Sequence, residues 1–416
     1  MGEASSFPGK IANSLCPNIF QNLCRQLTKG MILITGTNGK TTTSLLLSKI
    51  FSTNDIVHNK SGANFESGLI TALLEKTKIN GRIKADYAIF EVDELVVAKV
   101  SEKCHPIAIV VLNLFRDQLE RYGEIQTILK SWQKAIVNLP IHTQIFINAD
   151  DPALCHLGDL LPQRVTYFGL NEPKYYLKSM PNAMDSLYCP RCERLLVYQG
   201  FYLSHLGDYF CKKCLFCKKE PAIDSQKWSQ ISNGIYNKYN TMAAISIAKK
   251  LGINELKIRG SIHHFKPAFG RGETIVFKGK KVLLLLSKNP VSMNEMIQRV
   301  SQLMDQGNVQ VIIFALNDQE MDGRDISWIW EVDMQSILAR KKRLILTGSR
   351  AYELALCVKY GSKEKMEGGR VVIEENLKKA ISIGLKNTLN GAFLPILPTY
   401  TAMLKVRKIL VGRKFL

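Results

Sequence analysis

The sequence predicts an α/β protein: a P-loop domain interrupted by a four-cysteine zinc ribbon, then a second, Rossmann-like α/β domain. Three observations carry that expectation. Wholly apolar, strand-like runs alternate with segments of helical periodicity, the pattern of parallel sheets covered on both faces. The first of these runs leads straight into a glycine-rich turn of the phosphate-binding kind. Two Cys-x-x-Cys pairs then break the alternation part-way along the chain.

The strand-like runs are Met31–Thr35, Tyr87–Phe90, Ile107–Leu112, Gln144–Asn148, Val282–Leu286, Gln310–Leu316 and Arg343–Leu346. Helical patterns are clearest at Thr43–Phe51, Val291–Met304, Ala351–Tyr360 and Asn376–Leu385. The alternation pauses across the cysteine-rich piece and restarts after Gly270–Glu273. The expected organisation is an N-terminal segment 1–29, an ATP-binding domain 30–273 with an insertion at about 185–222, and a C-terminal α/β domain 274–416. Hydrophobic residues at 46% and charged residues at 22% exclude a disordered or fibrous chain. No run approaches the roughly 18 apolar residues of a membrane-spanning helix, and the opening MGEASSFPGK lacks a signal-peptide core, so the expected location is the cytoplasm. Lys and Arg number 56 against 36 Asp and Glu, and the excess of +20 favours a phosphate-rich partner: nucleotide, nucleic acid or anionic membrane.

Strand Met31–Thr35 runs into Gly36, Thr37, Asn38, Gly39, Lys40, Thr41, Thr42. Glycines let backbone amides turn inward onto a phosphate, and the following helix adds its dipole. Lys40 reaches terminal phosphates, and the Thr41 hydroxyl is placed to ligate Mg²⁺. The full P-loop pattern has a glycine where this chain has Ile34, so the loop is a shortened variant. Strand Tyr87–Phe90 ends in Glu91-Val92-Asp93-Glu94, the acidic strand tip an ATP-metal site needs, with Glu91 the metal-associated residue. A third strand end brings Asn113, Arg116 and Asp117 to the same edge.

Cys189-Pro-Arg-Cys192 and Cys211-Lys-Lys-Cys214 are two knuckles separated by 18 residues, the spacing of a tetrahedral Zn²⁺ site. Four thiolates leave zinc no open position, so the site is expected to be structural, with Cys217 a spare. Arg191, Lys212, Lys213, Lys218 and Lys219 make the module basic, which suits nucleic acid or a merely solvated face.

At these residues the chain resembles known enzymes. GTNGKTT, the Glu-led strand end, GIYNKYNTMAA (234–244) and FGRGE (269–273) are similar to the Mur ligases and folylpolyglutamate synthases. That resemblance implies an acyl phosphate made from ATP on a carboxylate, with Asn237 or Asn240 touching nucleotide or metal and Arg271 touching nucleotide phosphates. The rival reading of the two asparagines is a helix cap. A zinc ribbon is foreign to ordinary Mur ligases. With NLFRDQLERYGE, SHLGDYFCKKC, LNDQEMDGRDISWIW, LPTYTAML and FPGK (7–10) it resembles the MurT family, the Mur ligase-like subunits of lipid II isoglutaminyl synthases, over nearly the whole chain. The resemblance implies a Mur ligase-like central domain using ATP, Mg²⁺ and Zn²⁺. It also implies amidation of the D-glutamate α-carboxylate of the lipid II stem peptide to D-isoglutamine, in peptidoglycan synthesis at the inner face of the membrane.

Ammonia must come from elsewhere. Cysteines 16, 24, 104, 155 and 357 lack the Gly-x-Cys-x-Gly elbow of a glutaminase nucleophile. The resemblance implies a GatD-like glutaminase partner in a heterodimer, whose Cys–His pair is completed by an acid from MDGRDISWIWEVD. Asp325 and Asp333 rank ahead of Glu331, with Asp322 a further candidate. Two departures from the wider Mur pattern, Gln118 and Ser287-Lys288-Asn289-Pro290, prevent the ligases' metal arrangement from carrying over whole. The basic C-terminus Lys405–Leu416 suits either an anionic membrane or a final helix packed by its apolar face. Two rival functions remain: a folylpolyglutamate-synthase-like ligase, and a zinc-ribbon nucleic-acid-binding ATPase. No RNA-stacking platform or helicase motif supports the latter, and no nucleic acid is expected.

Overall fold

The computed structural model describes residues 2–59, 62–117, 125–161, 164–231, 234–265, 271–361 and 369–412. Gln118, Arg413 and Lys414 lie outside them, as does the side chain of Arg271. Contacts divide the chain into residues 1–116 with 122–266, and 117–121 with 267–416.

The first unit is built on a six-stranded sheet. In chain order its elements are α1 (Gly2–Leu15), α2 (Ile19–Cys24), β1 (Gly30–Thr35), α3 (Lys40–Ile50), β2 (Ile56–His58), α4 (Glu66–Leu74), β3 (Tyr87–Glu91) and α5 (Val97–Cys104). There follow β4 (Ala108–Val111), α6 (Ile125–Val137), β5 (Gln144–Asn148), α7 (Pro152–Gly158), β6 (Val165–Phe168), β7 (Val197–Leu203), β8 (Leu206–Phe210), α8 (Ile235–Lys250) and α9 (Glu255–His263). The strand order is β2-β3-β1-β4-β5-β6, every pairing parallel. Ile32, Leu33 and Ile34 of β1 are wholly buried, as a strand covered on both faces requires. The chain leaves β1 toward β2 and β3 and later returns to β4 on its other side. The carboxyl end of β1 is therefore the switch point at which such sheets bind ligands.

The N-terminal helices, which periodicity did not reveal, pack against α4. Gly9 of the FPGK stretch makes the approach possible: its amide donates to Thr71 Oγ1 at 3.0 Å, and a Cβ there would sit 1.9 Å from the Ser67 carbonyl. Strands β7 and β8 form a separate antiparallel hairpin within the cysteine-rich insertion.

The second unit contains β9 (Arg271–Phe277), β10 (Lys280–Leu285), α10 (Pro290–Asp305), β11 (Val311–Ala315), α11 (Met334–Leu338), β12 (Arg343–Thr347), α12 (Ala351–Tyr360), β13 (Val371–Ile373), α13 (Leu377–Lys386), β14 (Phe393–Pro398) and α14 (Tyr400–Val411). Its sheet runs β13-β12-β11-β14-β10-β9, parallel except for the β9–β10 hairpin at one edge. The boundary expected after Glu273 thus lies inside β9. Strand β14 escaped the sequence reading because Pro395 and Pro398 disguise a run that nevertheless sits between β11 and β10. Helix α14 buries Thr401, Ala402, Met403, Val406 and Leu410, and Arg407 pairs with Glu273 at 3.2 Å. Its apolar face is therefore spent on the domain's own packing. Among the described residues no helix is long and apolar enough to cross a membrane.

Candidate active site

The phosphate loop leaves β1 through Gly36 at φ 128° and enters α3 through Gly39 at φ 95°, both in the region that favours glycine. A Cβ on Gly39 would lie 2.1 Å from Asn240 Oδ1, so this glycine also admits α8 to the loop. The helix begins at Lys40, three residues earlier than its apolar periodicity suggests, which puts Lys40, Thr41 and Thr42 in its first turn. The first amides of a helix lie outside its own hydrogen-bond ladder, and this end of α3 therefore suits an anion.

Lys40 Nζ donates to the Gly36 carbonyl at 2.7 Å and to Glu94 Oε1 at 2.8 Å. The pairing with Glu94 was not expected. Helical and strand periodicities cannot show it, because Glu94 lies in a turn beyond β3. Glu91, the last residue of β3, sits opposite Ile34 of β1. The acidic strand end is not a solvated one: Glu91, Asp93 and Glu94 are 3%, 1% and 5% exposed. Asn59 brackets Glu91, accepting from its amide at 3.1 Å and donating to its carbonyl at 2.9 Å. Glu91 Oε2 and Glu94 Oε2 are buried without a hydrogen-bond partner among the described residues. A buried carboxylate oxygen so placed is costly unless a cation meets it, which fits a carboxylate associated with Mg²⁺ at Glu91.

The two asparagines of α8 are not caps. Gly234 holds the N-cap position, and both asparagines lie inside the helix. Asn240 is buried and accepts from Thr43 Oγ1 at 3.3 Å, while Asn237 lies in the first turn and is half-exposed. Tyr236, from the same turn, accepts from Asn38 Nδ2 at 2.9 Å. Asn38 and Asn240 therefore already serve α8 packing. Arg271 opens β9, in the second unit.

In the insertion, the sulfurs of Cys189, Cys192, Cys211 and Cys214 lie within 4.8 Å of one another. A Zn–S bond of about 2.3 Å implies sulfurs about 3.8 Å apart, so the four fit the ion without rearranging the backbone. The two knuckles repeat one geometry. Glu193 N donates to Cys189 O at 2.8 Å, and Leu215 N to Cys211 O at 3.0 Å. Each donor lies in the left-handed region, at φ 59°. Backbone amides of Cys214 and Lys213 lower the Cys211 thiol to about 6, whereas burial pushes Cys189 up to about 12. Cys217 is exposed and outside the cluster.

The acids of the second unit are engaged locally. Asp325 is exposed and accepts from Ser327 N at 2.8 Å. Asp333 caps α11, accepting from Ser336 N at 3.2 Å and from the Ser336 hydroxyl. Glu331, half-buried, ends a short 3₁₀ turn, its carbonyl accepting from Asn294 at 3.2 Å. Asp322 is buried on the first turn of α14, holding Thr401 N at 2.7 Å. Trp330 is 55% exposed, while Ile329 beside it is buried.

Comparison with known proteins follows this anatomy. The Mur ligase middle domain profile matches residues 34–189, and the MurT ligase C-terminal profile matches residues 286–403. The chain is 30% identical to "Lipid II isoglutaminyl synthase (glutamine-hydrolyzing) subunit MurT" of Staphylococcus aureus, covering 96% of this chain and 91% of that protein. The chain belongs to the MurT family. The MurT relative from Streptococcus pneumoniae is 29% identical and covers 100% of this chain and 94% of its own. Among solved structures, a pseudomurein peptide ligase type C from Methanothermus fervidus has a TM-score of 0.67 at 22% identity, covering 92% and 78% of the two chains. MurF ligase from Thermotoga maritima, in complex with ADP, has 0.62 at 15%, covering 94% and 81%. These likenesses show a Mur ligase-like α/β fold.

Proposed function

We propose that this chain is the ligase subunit of a lipid II isoglutaminyl synthase. It amidates the α-carboxylate of stem-peptide D-glutamate to D-isoglutamine with ATP, at the inner face of the membrane. The observation that carries the reading is kinship to MurT subunits along nearly the whole chain, on a phosphate loop flanked by buried, unsatisfied carboxylates.

In this reading the amides of residues 39–42 cradle the nucleotide phosphates, and Lys40 exchanges part of its contact with Glu94 for phosphate oxygen. The substrate carboxylate attacks the γ-phosphorus, ADP leaves, and an acyl phosphate results. Ammonia then adds to the carbonyl carbon, loses a proton, and expels inorganic phosphate. Mg²⁺ supplies charge neutralisation on the transferring phosphoryl group. Glu91 and Thr41 would hold it, and Asn237, Asn240 and Arg271 would complete the nucleotide contacts. A zinc ion on the four cysteines would be structural.

A GatD-like glutaminase supplies the ammonia. Its Cys–His pair would be completed by Asp325, Asp333 or Glu331, with the exposed Trp330 beside them suited to a partner surface. The test is incubation of lipid II, ATP and glutamine with this chain, with and without the glutaminase. Mass spectrometry should find carboxyl-to-amide conversion only with both, and ammonium salt should replace the glutaminase. ATP turnover stimulated by a folate or nucleic acid instead of lipid II would contradict it.

A further inference from the structure

We infer that the zinc-ribbon insertion is the back support of the nucleotide loop, with His205 at its hairpin tip the positioning residue. This rests on the nucleotide reading above. The side of the loop away from the ligand is held by residues 113–115, which follow β4 in irregular structure. Thr37 N donates to Asn113 O at 3.1 Å and Asn38 N to Asn113 Oδ1 at 2.9 Å. Asn113 Nδ2 donates to Asn38 O at 3.0 Å. Phe115 N donates to Thr37 Oγ1 at 2.9 Å, and that hydroxyl returns a bond to Phe115 O at 3.1 Å.

A segment without secondary structure is only as fixed as its neighbours make it. Asp151, at the start of α7, accepts from Leu114 N at 3.1 Å. Tyr236 of α8 meets the Phe115 ring edge-on at 6.3 Å. Further holds come from the insertion. Asp185, where the insertion opens, accepts from Arg116 N at 3.0 Å and pairs with its guanidinium. His205, wholly buried in the β7–β8 turn, lays its ring 5.0 Å from the Phe115 ring and places Nε2 3.4 Å from Asp151 Oδ2. The hairpin is itself bolted down: Gly207 N donates to Asp150 O at 3.0 Å, and Lys218 pairs with Asp150 at 2.9 Å. Tyr239 of α8 donates to the same carboxylate at 2.6 Å. The insertion thus touches both the segment behind the loop and the helix carrying Asn237 and Asn240. None of this is needed to hold zinc, and the cysteines lie at the other end of the hairpin from His205 in sequence.

The test uses the full chain with its zinc. Affinity for a fluorescent ATP analogue with Mg²⁺ is measured alongside zinc content and melting temperature, for the native chain, His205→Ala, His205→Phe and Asp185→Asn, with Lys40→Ala as the control. His205→Ala should weaken nucleotide binding about two- to thirtyfold at unchanged zinc content, the range of coupling energies carried through packed contacts. His205→Phe, which restores a ring against Phe115, should recover part of the loss. In amidation assays KM for ATP should rise more than kcat falls. If His205→Ala does not fold, Asp185→Asn carries the test with the same expected direction. Native-like affinity in a folded, zinc-loaded variant overturns the inference. Failure of the native chain to bind the analogue, or equal binding by Lys40→Ala, overturns the nucleotide reading instead.

Discussion

Glu91 and Glu94 in the first unit, and Asp322 and Asp333 in the second, are carboxylates withdrawn wholly or partly from solvent, yet their oxygens are treated differently. Asp322 and Asp333 are spent on helix starts: one holds Thr401 at the head of α14, the other Ser336 at the head of α11. Glu91 and Glu94 each keep a buried oxygen with no hydrogen-bond partner among the described residues, and the other oxygen of Glu94 meets Lys40 of the phosphate loop. Satisfied acids stabilise a fold, whereas unsatisfied ones ask for a cation. The contrast supports the proposal that ATP is handled in the first unit, while the second unit's acids hold helix starts.

The largest effect expected from breaking this contrast is at Lys40. Lys40→Ala removes the phosphate-facing cation and should lower amidation by about 10²-fold or more. It also leaves Glu94 buried and unpaired, at a cost of roughly 3 kcal/mol. The double variant Lys40→Ala with Glu94→Gln should therefore melt nearer the native temperature while staying inactive. Stability unaffected by the single change would show that the pair carries no weight.

Removing zinc comes next. Classical zinc modules lose their fold with the metal, so Cys214→Ser should abolish zinc retention and expose the amides of β7 and β8 to hydrogen exchange. The amides of β1 should remain protected. Metal analysis finding no zinc in protein purified without chelator would remove the ribbon assignment.

The second unit's acids should separate by assay. The acid that completes the partner's pair should, when changed to its amide, abolish glutamine-driven amidation and spare ammonium-driven amidation. Asp333→Asn should keep the cap, since its amide oxygen still accepts, whereas Asp333→Ala should cost about 1 kcal/mol as a lost cap. If Asp325→Asn, Asp333→Asn and Glu331→Gln all keep glutamine-driven turnover, the triad assignment falls.

The smallest effect is a pH dependence. Burial opposes a charged His205, but Asp151 and Asp185 outweigh it and raise the ring's pKa above its ordinary value. A raised folded pKa contributes stability that is complete below the unfolded value of about 6.5 and is lost as pH rises through the folded one. The native melting temperature should therefore fall from about pH 6 to about pH 9 by more than that of His205→Gln. Equal slopes would mean that the ring is neutral throughout.

Much of this was legible in the sequence, for identifiable reasons. The apolar runs of β1, β3, β5 and β12 and the Cys-x-x-Cys spacing are local signals, and the structure places them within a residue or so of expectation. What stayed hidden is non-local. Lys40 and Glu94 are 54 positions apart, and no periodicity joins a helix start to a turn beyond another strand. His205 has no sequence signal beyond its place in the SHLGDYFCKKC stretch, and its burial appears only once the insertion folds back on residues 113–116. The rival cap reading of the asparagines of α8 arose because Gly234, three residues before Asn237, gives no side-chain signal of being the cap itself.

In the proposed reading the buried oxygen of Glu91 belongs to an ATP-bound Mg²⁺. Its most direct test is the Mg²⁺ dependence of ATP binding in the native chain and in Glu91→Gln, which keeps the shape and removes the charge. The account predicts tight binding that requires Mg²⁺ in the native chain, and weaker binding with a blunted Mg²⁺ requirement in the variant. Identical Mg²⁺ titrations for the two proteins would contradict it.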